Sequence, residues 1–241
     1  MTQIELSSEI TVKLIDSMAS DLAVTRAAQV SVKGENNPDT DSARLINYLL
    51  SSRHGSPFEH ATFTFFVEAP IFVFREWHRH RIASINEMSG RYSILPAKFY
   101  IPAEDRNLVN VGTSARPEFA PGTAGQVADV RVRLADIYQQ AWDTYEFLID
   151  SGVANEVSRL ALPVAVYSQM YWTVNARALM NFLSLRTDAR THGIPDAEER
   201  GLAFSRPQRE IEIGAEKLEA IFAQEMPHTY EAFVKNGRIA P

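Results

Sequence analysis

The sequence predicts a single α+β domain over residues 1–241. Two observations lead there. Helix-period and alternating apolar patterns succeed one another along the chain, the two periods that separate helices from half-buried strands. No repeat, low-complexity block or composition break marks a linker, and 45% hydrophobic with 22% charged residues is a balance that can bury a core.

The elements follow in order. Ile10 to Ile15 alternates, with Ile10, Val12 and Leu14 on one side, as a strand does. Asp16 to Val30 is alanine-rich and reads as a helix. Asn36-Asn37-Pro38-Asp39 is a turn signal, and Asp39 or Asp41 is placed to cap a helix to about Ser52, with Leu45, Ile46, Leu49 and Leu50 as its buried stripe. His60 to Val67 has the threonine and phenylalanine content of a strand. Pro70 suits the first turn of a helix carrying Phe72 to His80. Tyr92 to Gln126, rich in proline and glycine, reads as loop, its part from Glu104 to Gly125 a surface excursion. Val127 to Ile149 is the strongest helical pattern, with Val130, Leu134, Ile137, Ala141, Tyr145 and Leu148 at three- and four-residue steps and Gly152 beyond its end. Glu156 to Leu162 reads as a short helix closed by Pro163, Val164 to Val174 as a strand, and Asn175 to about Asp188 as a helix. Pro207 to Gln224 is a further helix, with Ile211, Ala215, Leu218 and Ile221 or Phe222 on one face.

Composition removes several classes of function. The formal net charge is −6, opposite to a protein that coats nucleic acid. There is no cysteine, so disulfides, thiolate metal sites and a cysteine nucleophile are excluded. Met1 to Ile10 is polar and acidic, unlike a secretory signal. The longest apolar stretch, around Ala69 to Phe74, is too short to cross a bilayer. A cytoplasmic protein without membrane partners is expected.

Chemistry-bearing residues concentrate in Arg79-His80-Arg81-Ile82-Ala83-Ser84-Ile85-Asn86-Glu87-Met88-Ser89-Gly90-Arg91-Tyr92. Arginine offers a planar fork of donors that matches phosphate oxygens. Ser89-Gly90 would let backbone amides approach an anion, and Glu87 could accept from a ribose hydroxyl or balance the arginines. The set suits a nucleotide, and a solvated helix end with surface ion pairs accounts for it equally. In the segment from Asn175 to Arg186, Arg177 and Asn181 share a helix face, with Leu179, Phe182 and Leu183 as the packing stripe. Arg186 follows Arg177 by nine residues, about half a turn out of phase. The two arginines are therefore expected to serve different ligands or different subunits, unless both pair with surface acids. His54, Ser56, Glu59 and His60 form a third group; with His78 and His80 they raise a metal site, which the flanking charges of Arg79 and Arg81 oppose. Neither G-x-G-x-x-G nor G-x-x-x-x-G-K-[ST] occurs, so a dinucleotide would be held without the usual glycine-rich turn.

Arg79 through Tyr92 matches R-H-R-x-x-S-x-N-E-x-S-x-R-Y at every fixed position, and on these residues the chain resembles the flavin-dependent thymidylate synthases. Ser56-Pro57-Phe58-Glu59-His60, Glu156 to Pro163, Tyr171 to Leu185 and Thr229-Tyr230-Glu231-Ala232-Phe233 extend the likeness over most of the chain. Glu104 to Gly125 and Thr191 to Ser205 stand apart from it. The resemblance implies a central, mostly antiparallel sheet packed with long helices, and a homotetramer with shared active sites. It implies conversion of dUMP to dTMP with FAD, NADPH and 5,10-methylenetetrahydrofolate. It places Ser56, Arg79, His80, Arg81, Glu87, Asn175, Ala176, Arg177 and Asn181 at FAD. It places Glu76, Arg79, Glu87, Met88, Ser89, Gly90, Arg91, Arg159 and Arg186 at dUMP, with Arg186 catalytic against the pyrimidine. His54 would flank the flavin face where folate and nicotinamide stack, and no metal is implied. Two positions depart from the pattern. Glu76 stands where a glutamine is expected, and Arg190 where some relatives carry a histidine.

With no cysteine to attack uracil, and no histidine–carboxylate pair evident beside Ser84 or Ser89, the chemistry must come mainly from a cofactor. Two other readings compete. Arg79, Arg81 and Arg91 could grip RNA or DNA, which would show as steeply salt-dependent binding. A nucleotide hydrolase could use His54, His60, His78 and His80 on a metal, and chelation would abolish it.

Overall fold

The computed structural model describes residues 2–34, 42–114, 117–188 and 205–241. Along the chain run β1 (Glu5–Ser7), β2 (Thr11–Ser17), α1 (Asp21–Lys33), α2 (Ser42–Ser51), a 3-10 turn (Ser56–His60), β3 (Thr62–Pro70), α3 (Ile71–Trp77), β4 (Ser84–Glu87), β5 (Lys98–Tyr100), β6 (Val109–Asn110), β7 (Phe119–Ala120), α4 (Ala124–Asp150), α5 (Asn155–Ser158), a second 3-10 turn (Arg159–Ala161), β8 (Tyr167–Asn175), α6 (Ala176–Arg186), α7 (Arg209–Glu225) and α8 (Pro227–Lys235). The expected mixture of helices and short strands is present. Four strands form one sheet in the order β2-β3-β8-β4. No helix among the described residues is long and apolar enough to cross a membrane.

The chain packs as two compact units, each drawn from three stretches. The first comprises Met1–Ile10, Glu68–Arg75 and Glu87–Gln169. Its core joins Leu95, Phe99, Tyr138, Trp142, Tyr145 and Tyr167, with Met88 and Leu134 partly buried against it. β1 pairs with β5 in parallel, Glu5 opposite Lys98. Lys98 is held at 2.6 Å by Glu68, whose other oxygen accepts from Gln169 at 2.8 Å. Helix α4 opens on a capping box: Thr123 accepts from the Gln126 amide and the Gln126 side chain accepts from the Thr123 amide. That reciprocal bonding starts the helix at Ala124, three residues before the apolar pattern begins. The buried face is Tyr138, Trp142 and Tyr145, with Leu134 packed beside it, so the expected stripe holds at Leu134 and Tyr145 and fails at Ile137, which is exposed. The excursion after Glu104 is not structureless, because β6 and β7 pair antiparallel within it.

The second unit comprises Thr11–Val67, Glu76–Asn86 and Met170–Pro241. Here β3 and β8 run antiparallel: Ala176 N donates to Ala61 O at 2.8 Å, and the Thr64 and Thr173 hydroxyls lie 3.0 Å apart. Phe63, Phe65 and Val67 alternate inward along β3, the period-two pattern that the sequence predicts. Trp77, Trp172 and Phe182 pack with ring centroids 4.8 to 5.4 Å apart, a cluster in which each fully buried aromatic adds about 1.5–3 kcal/mol. Helix α1 starts at Asp21 and not at Asp16, because the strand before it runs to Ser17 and Ser20 caps the helix through Ala23 N. Ile211, Ala215, Leu218 and Phe222 are buried along α7 as their spacing predicts. Asp21 accepts from the backbone of His228 and Thr229 and so caps α8, a helix that the sequence reading does not anticipate. The turn at Asn36–Asp39, the cap at Asp39 or Asp41, and Arg190 lie outside the described residues.

A cationic cleft as the candidate active site

The cleft is built from the end of β8. Asn175 has an extended backbone, and its side chain accepts from Ala178 N at 2.9 Å. An asparagine at this position satisfies an amide that the first helical turn leaves orphaned, and so converts the strand into α6. Leu179, Met180, Phe182 and Leu183 are then buried, which leaves Arg177 and Asn181 on the outer face. Arg186 is the last residue of the helix. On the other side, α3 ends at Trp77, and Arg79 N and His80 N bond back to the carbonyls of Glu76 and Trp77. The resulting turn directs Arg79, His80, Arg81 and Ile82 into a cavity of about 580 Å³, a volume usual for sites that take small molecules. Asn175, Arg177, Asn181 and Arg186 line it too, with Trp172, Val174 and Leu185 as its apolar wall.

Arg186 is held by three contacts. Its Nη1 donates to the Glu76 carboxylate at 2.8 Å, its Nη2 to the Glu76 carbonyl at 3.3 Å, and its Nε to His80 Nε2 at 3.1 Å. His80 therefore carries its proton on Nδ1, and its ring lies 4.6 Å from that of Phe182. Burial, helped by the Arg186 charge, pushes the His80 pKa down to about 4. Burial also raises the Glu76 pKa, opposed by Arg186 and reinforced by Glu210. Arg177 has separate partners: Nη1 meets Glu59 at 2.6 Å, and Nε donates to the Pro241 carbonyl at 2.8 Å. It passes beside Gly55, where a Cβ would fall 2.5 Å from Arg177 Nε. Gly55 has an ordinary φ of −80°, so space and not conformation requires glycine here.

Ser89, Gly90 and Arg91 form a second group in the first unit. Ser89 O accepts from Tyr92 N and Ser93 N, and Ser89 Oγ accepts from Arg91 N at 3.3 Å. Gly90 is buried with its Cα hydrogen toward Leu95 and Arg159; an added Cβ would stand 3.2 Å from Leu95 and 3.4 Å from the Arg159 side chain. Arg91 pairs with Glu156 at 3.0 Å, both half-exposed. Met88 N donates to Gln169 O at 2.8 Å, which fixes the backbone just before this turn.

The structure thus gathers Arg79, His80, Arg81, Asn175, Arg177, Asn181 and Arg186 around one cavity. Arg177 and Arg186 keep separate partners, yet they share that cavity. Ser56 and His54 are exposed near the first 3-10 turn, with the His54 ring edge-on to Tyr48. Glu87 is exposed at the end of β4, and Ala176 is fully buried. None of these four lines the cavity. Glu76 reaches it only through Arg186. Sequence reasoning missed Glu59 as the partner of Arg177, since nothing in local spacing links residues so distant. It also missed Trp172 and Val174, although their alternation along β8 was legible. Among the described residues no three histidine, aspartate or glutamate side chains converge as metal ligands.

The donors and the apolar wall suit an anionic, aromatic ligand, so the class is that of an α+β protein with a cationic, apolar-walled cleft. Comparison makes the class specific. Residues 13–228 match the Thy1 family, described as thymidylate synthase complementing protein. The chain is 49% identical over 246 residues to the flavin-dependent thymidylate synthase of Streptomyces coelicolor, covering 99% of this chain and 96% of that protein. It is 43% identical to that of Thermotoga neapolitana, covering 93% and 90%. The crystal structure of a UMP/dUMP methylase, PolB from Streptomyces cacaoi, bound with 5-Br UMP superimposes with a TM-score of 0.90 at 46% identity over 100% of both chains. The chain belongs to the flavin-dependent thymidylate synthase family.

Proposed function

We propose that this protein methylates dUMP to dTMP, with FAD as its flavin, NADPH as reductant and 5,10-methylenetetrahydrofolate as one-carbon donor. The observation that carries the reading is the convergence of Arg79, Arg81, Arg177 and Arg186 with Asn175 and Asn181 on one apolar-walled cavity. That donor set fits the diphosphate and ring system of FAD. When bound, the flavin supplies the hydride that completes the methyl group. The chain's own residues bind and orient. Arg79, His80, Arg81, Asn175, Arg177 and Asn181 hold the cofactor; Ser56 and Glu87, exposed outside this cavity, would reach it only from a partner chain, and the fully buried Ala176 serves only to start α6. Met88, Ser89, Gly90, Arg91 and Arg159 hold the phosphate and sugar of dUMP. Arg186 faces the pyrimidine and stabilises negative charge there, with Glu76 beside it. His54 flanks the flavin face. In the proposed cytoplasmic homotetramer these groups need not come from one chain; Tyr92 and Leu160, 78% and 79% exposed, give apolar surface for a partner copy to cover. The finer fold assignment, the flavin-dependent thymidylate synthase fold, is supported by the superposition on PolB.

The test is direct. The purified protein is examined for a flavin absorption spectrum, then mixed with dUMP, methylenetetrahydrofolate and NADPH while dTMP is followed by chromatography. UMP runs in parallel, since the superimposable neighbour is a methylase of both nucleotides. Flavin colour with dTMP formed only in the complete mixture is expected. A colourless protein that forms no dTMP when FAD is added overturns the reading.

A further inference from the structure

Glu76 lies beside the residue assigned to the pyrimidine, yet a carboxylate at a nucleotide phosphate would repel it. The geometry points to a different use. Resting on the assignment of Arg186 above, we propose that Glu76 is a positioning residue that fixes the Arg186 guanidinium and does not itself bind the nucleotide.

Glu76 takes two of the three hydrogen bonds that Arg186 makes, one through its carboxylate at 2.8 Å and one through its backbone carbonyl at 3.3 Å. His80 Nε2 takes the third. A guanidinium has five N–H donors, so three are spent on orientation and two remain for a ligand. All three acceptors come from the end of α3 and the turn after it, while Arg186 closes α6. The pair thereby ties the last side chain of one helix to the last turn of another. The side chains are only 19% and 28% exposed, so water competes weakly for them. Global stability does not explain the arrangement. The folded pKa of Glu76 is raised, chiefly by burial. A carboxyl shifted upward stabilises the fold in its protonated form, and that contribution is lost as pH rises through the folded pKa. At neutral pH that shift works against what the ion pair adds to stability.

The experiment compares Glu76→Ala and Glu76→Gln with the parent protein and Arg186→Ala, all loaded with FAD. kcat, KM for dUMP and thermal midpoint are measured. Glutamine keeps an acceptor for Nη1 and removes the charge; alanine removes both. Glu76→Ala is expected to lose about 100-fold in kcat, the scale on which a small misplacement of a reacting group acts, with little change in KM. Glu76→Gln is expected to recover most of kcat and to melt no lower than the parent. If Glu76→Gln raises KM strongly and leaves kcat intact, the residue binds nucleotide and the proposal fails. It fails also if Glu76→Ala turns over like the parent, or if Glu76→Gln melts well below it. Should the parent form no dTMP, or Arg186→Ala match it, the fault lies with the assignment of the active site and not with Glu76.

Discussion

At the residue scale, Arg186 is where charge and geometry meet. Arg186→Ala is expected to abolish dTMP formation while the flavin spectrum persists, because Arg79, Arg81 and Arg177 remain to hold the cofactor. A second expectation concerns pH. His80 is protonated in the fold only near pH 4, against an ordinary value of 6.5. Between those values the unfolded chain binds the extra proton. Its contribution to stability is therefore fully present above about pH 6.5 and is lost as pH falls toward 4. Urea unfolding midpoints measured at steps through that window should rise with pH, and His80→Gln should flatten the slope. Gly55→Ala tests the close approach at Arg177. The new methyl group would overlap the guanidinium and stand 2.8 Å from the Pro241 carbonyl, so FAD retention on gel filtration should fall. The arginines were legible in the sequence because their spacing and signature are local. Their partners were not. Glu59 meets Arg177 across 118 positions and Glu76 meets Arg186 across 110, distances over which no periodic pattern speaks.

At the scale of elements, the clearest lesson comes from α4. Its existence was plain from the three- and four-residue recurrence of apolar residues, and Leu134 and Tyr145 of that recurrence do face the core, but midway Tyr138 and Trp142 claim the buried positions ahead of the smaller Ile137 and Ala141. Its start was likewise hidden in a stretch read as loop, where Thr123 and Gln126 cap one another. Thr123→Ala should lower stability by about 1 kcal/mol, seen as an earlier denaturant midpoint with unchanged slope. The short strands β1, β5, β6 and β7 escaped detection because two or three residues carry no alternation to read. β4 escaped for another reason: its polar signature residues look like a solvated surface. The turn from β8 into α6 was legible, since Asn175 is a preferred cap followed by an apolar stripe.

Across the whole molecule, a buried ion pair stands behind the cleft. Arg238 meets both oxygens of Glu219, at 2.5 and 2.6 Å, and donates to the Thr187 hydroxyl at 2.7 Å. Thr187 directly follows Arg186, so the C-terminal segment anchors the end of α6. Removing one partner of such a pair leaves an uncompensated charge, and Glu219→Ala should cost about 3–5 kcal/mol, read as loss of the folded baseline in mild urea. The α+β class was legible from composition and period alone; the interleaving of the chain was not, because it depends on pairings between distant strands. That interleaving has its own consequence. Each unit is stitched from three stretches of backbone, so no single proteolytic nick releases either as a continuous fragment. Neither half can be expressed alone as a truncation or exchanged with a homologue by one crossover, and the first unit cannot close until its last stretch, ending at Gln169, has left the ribosome.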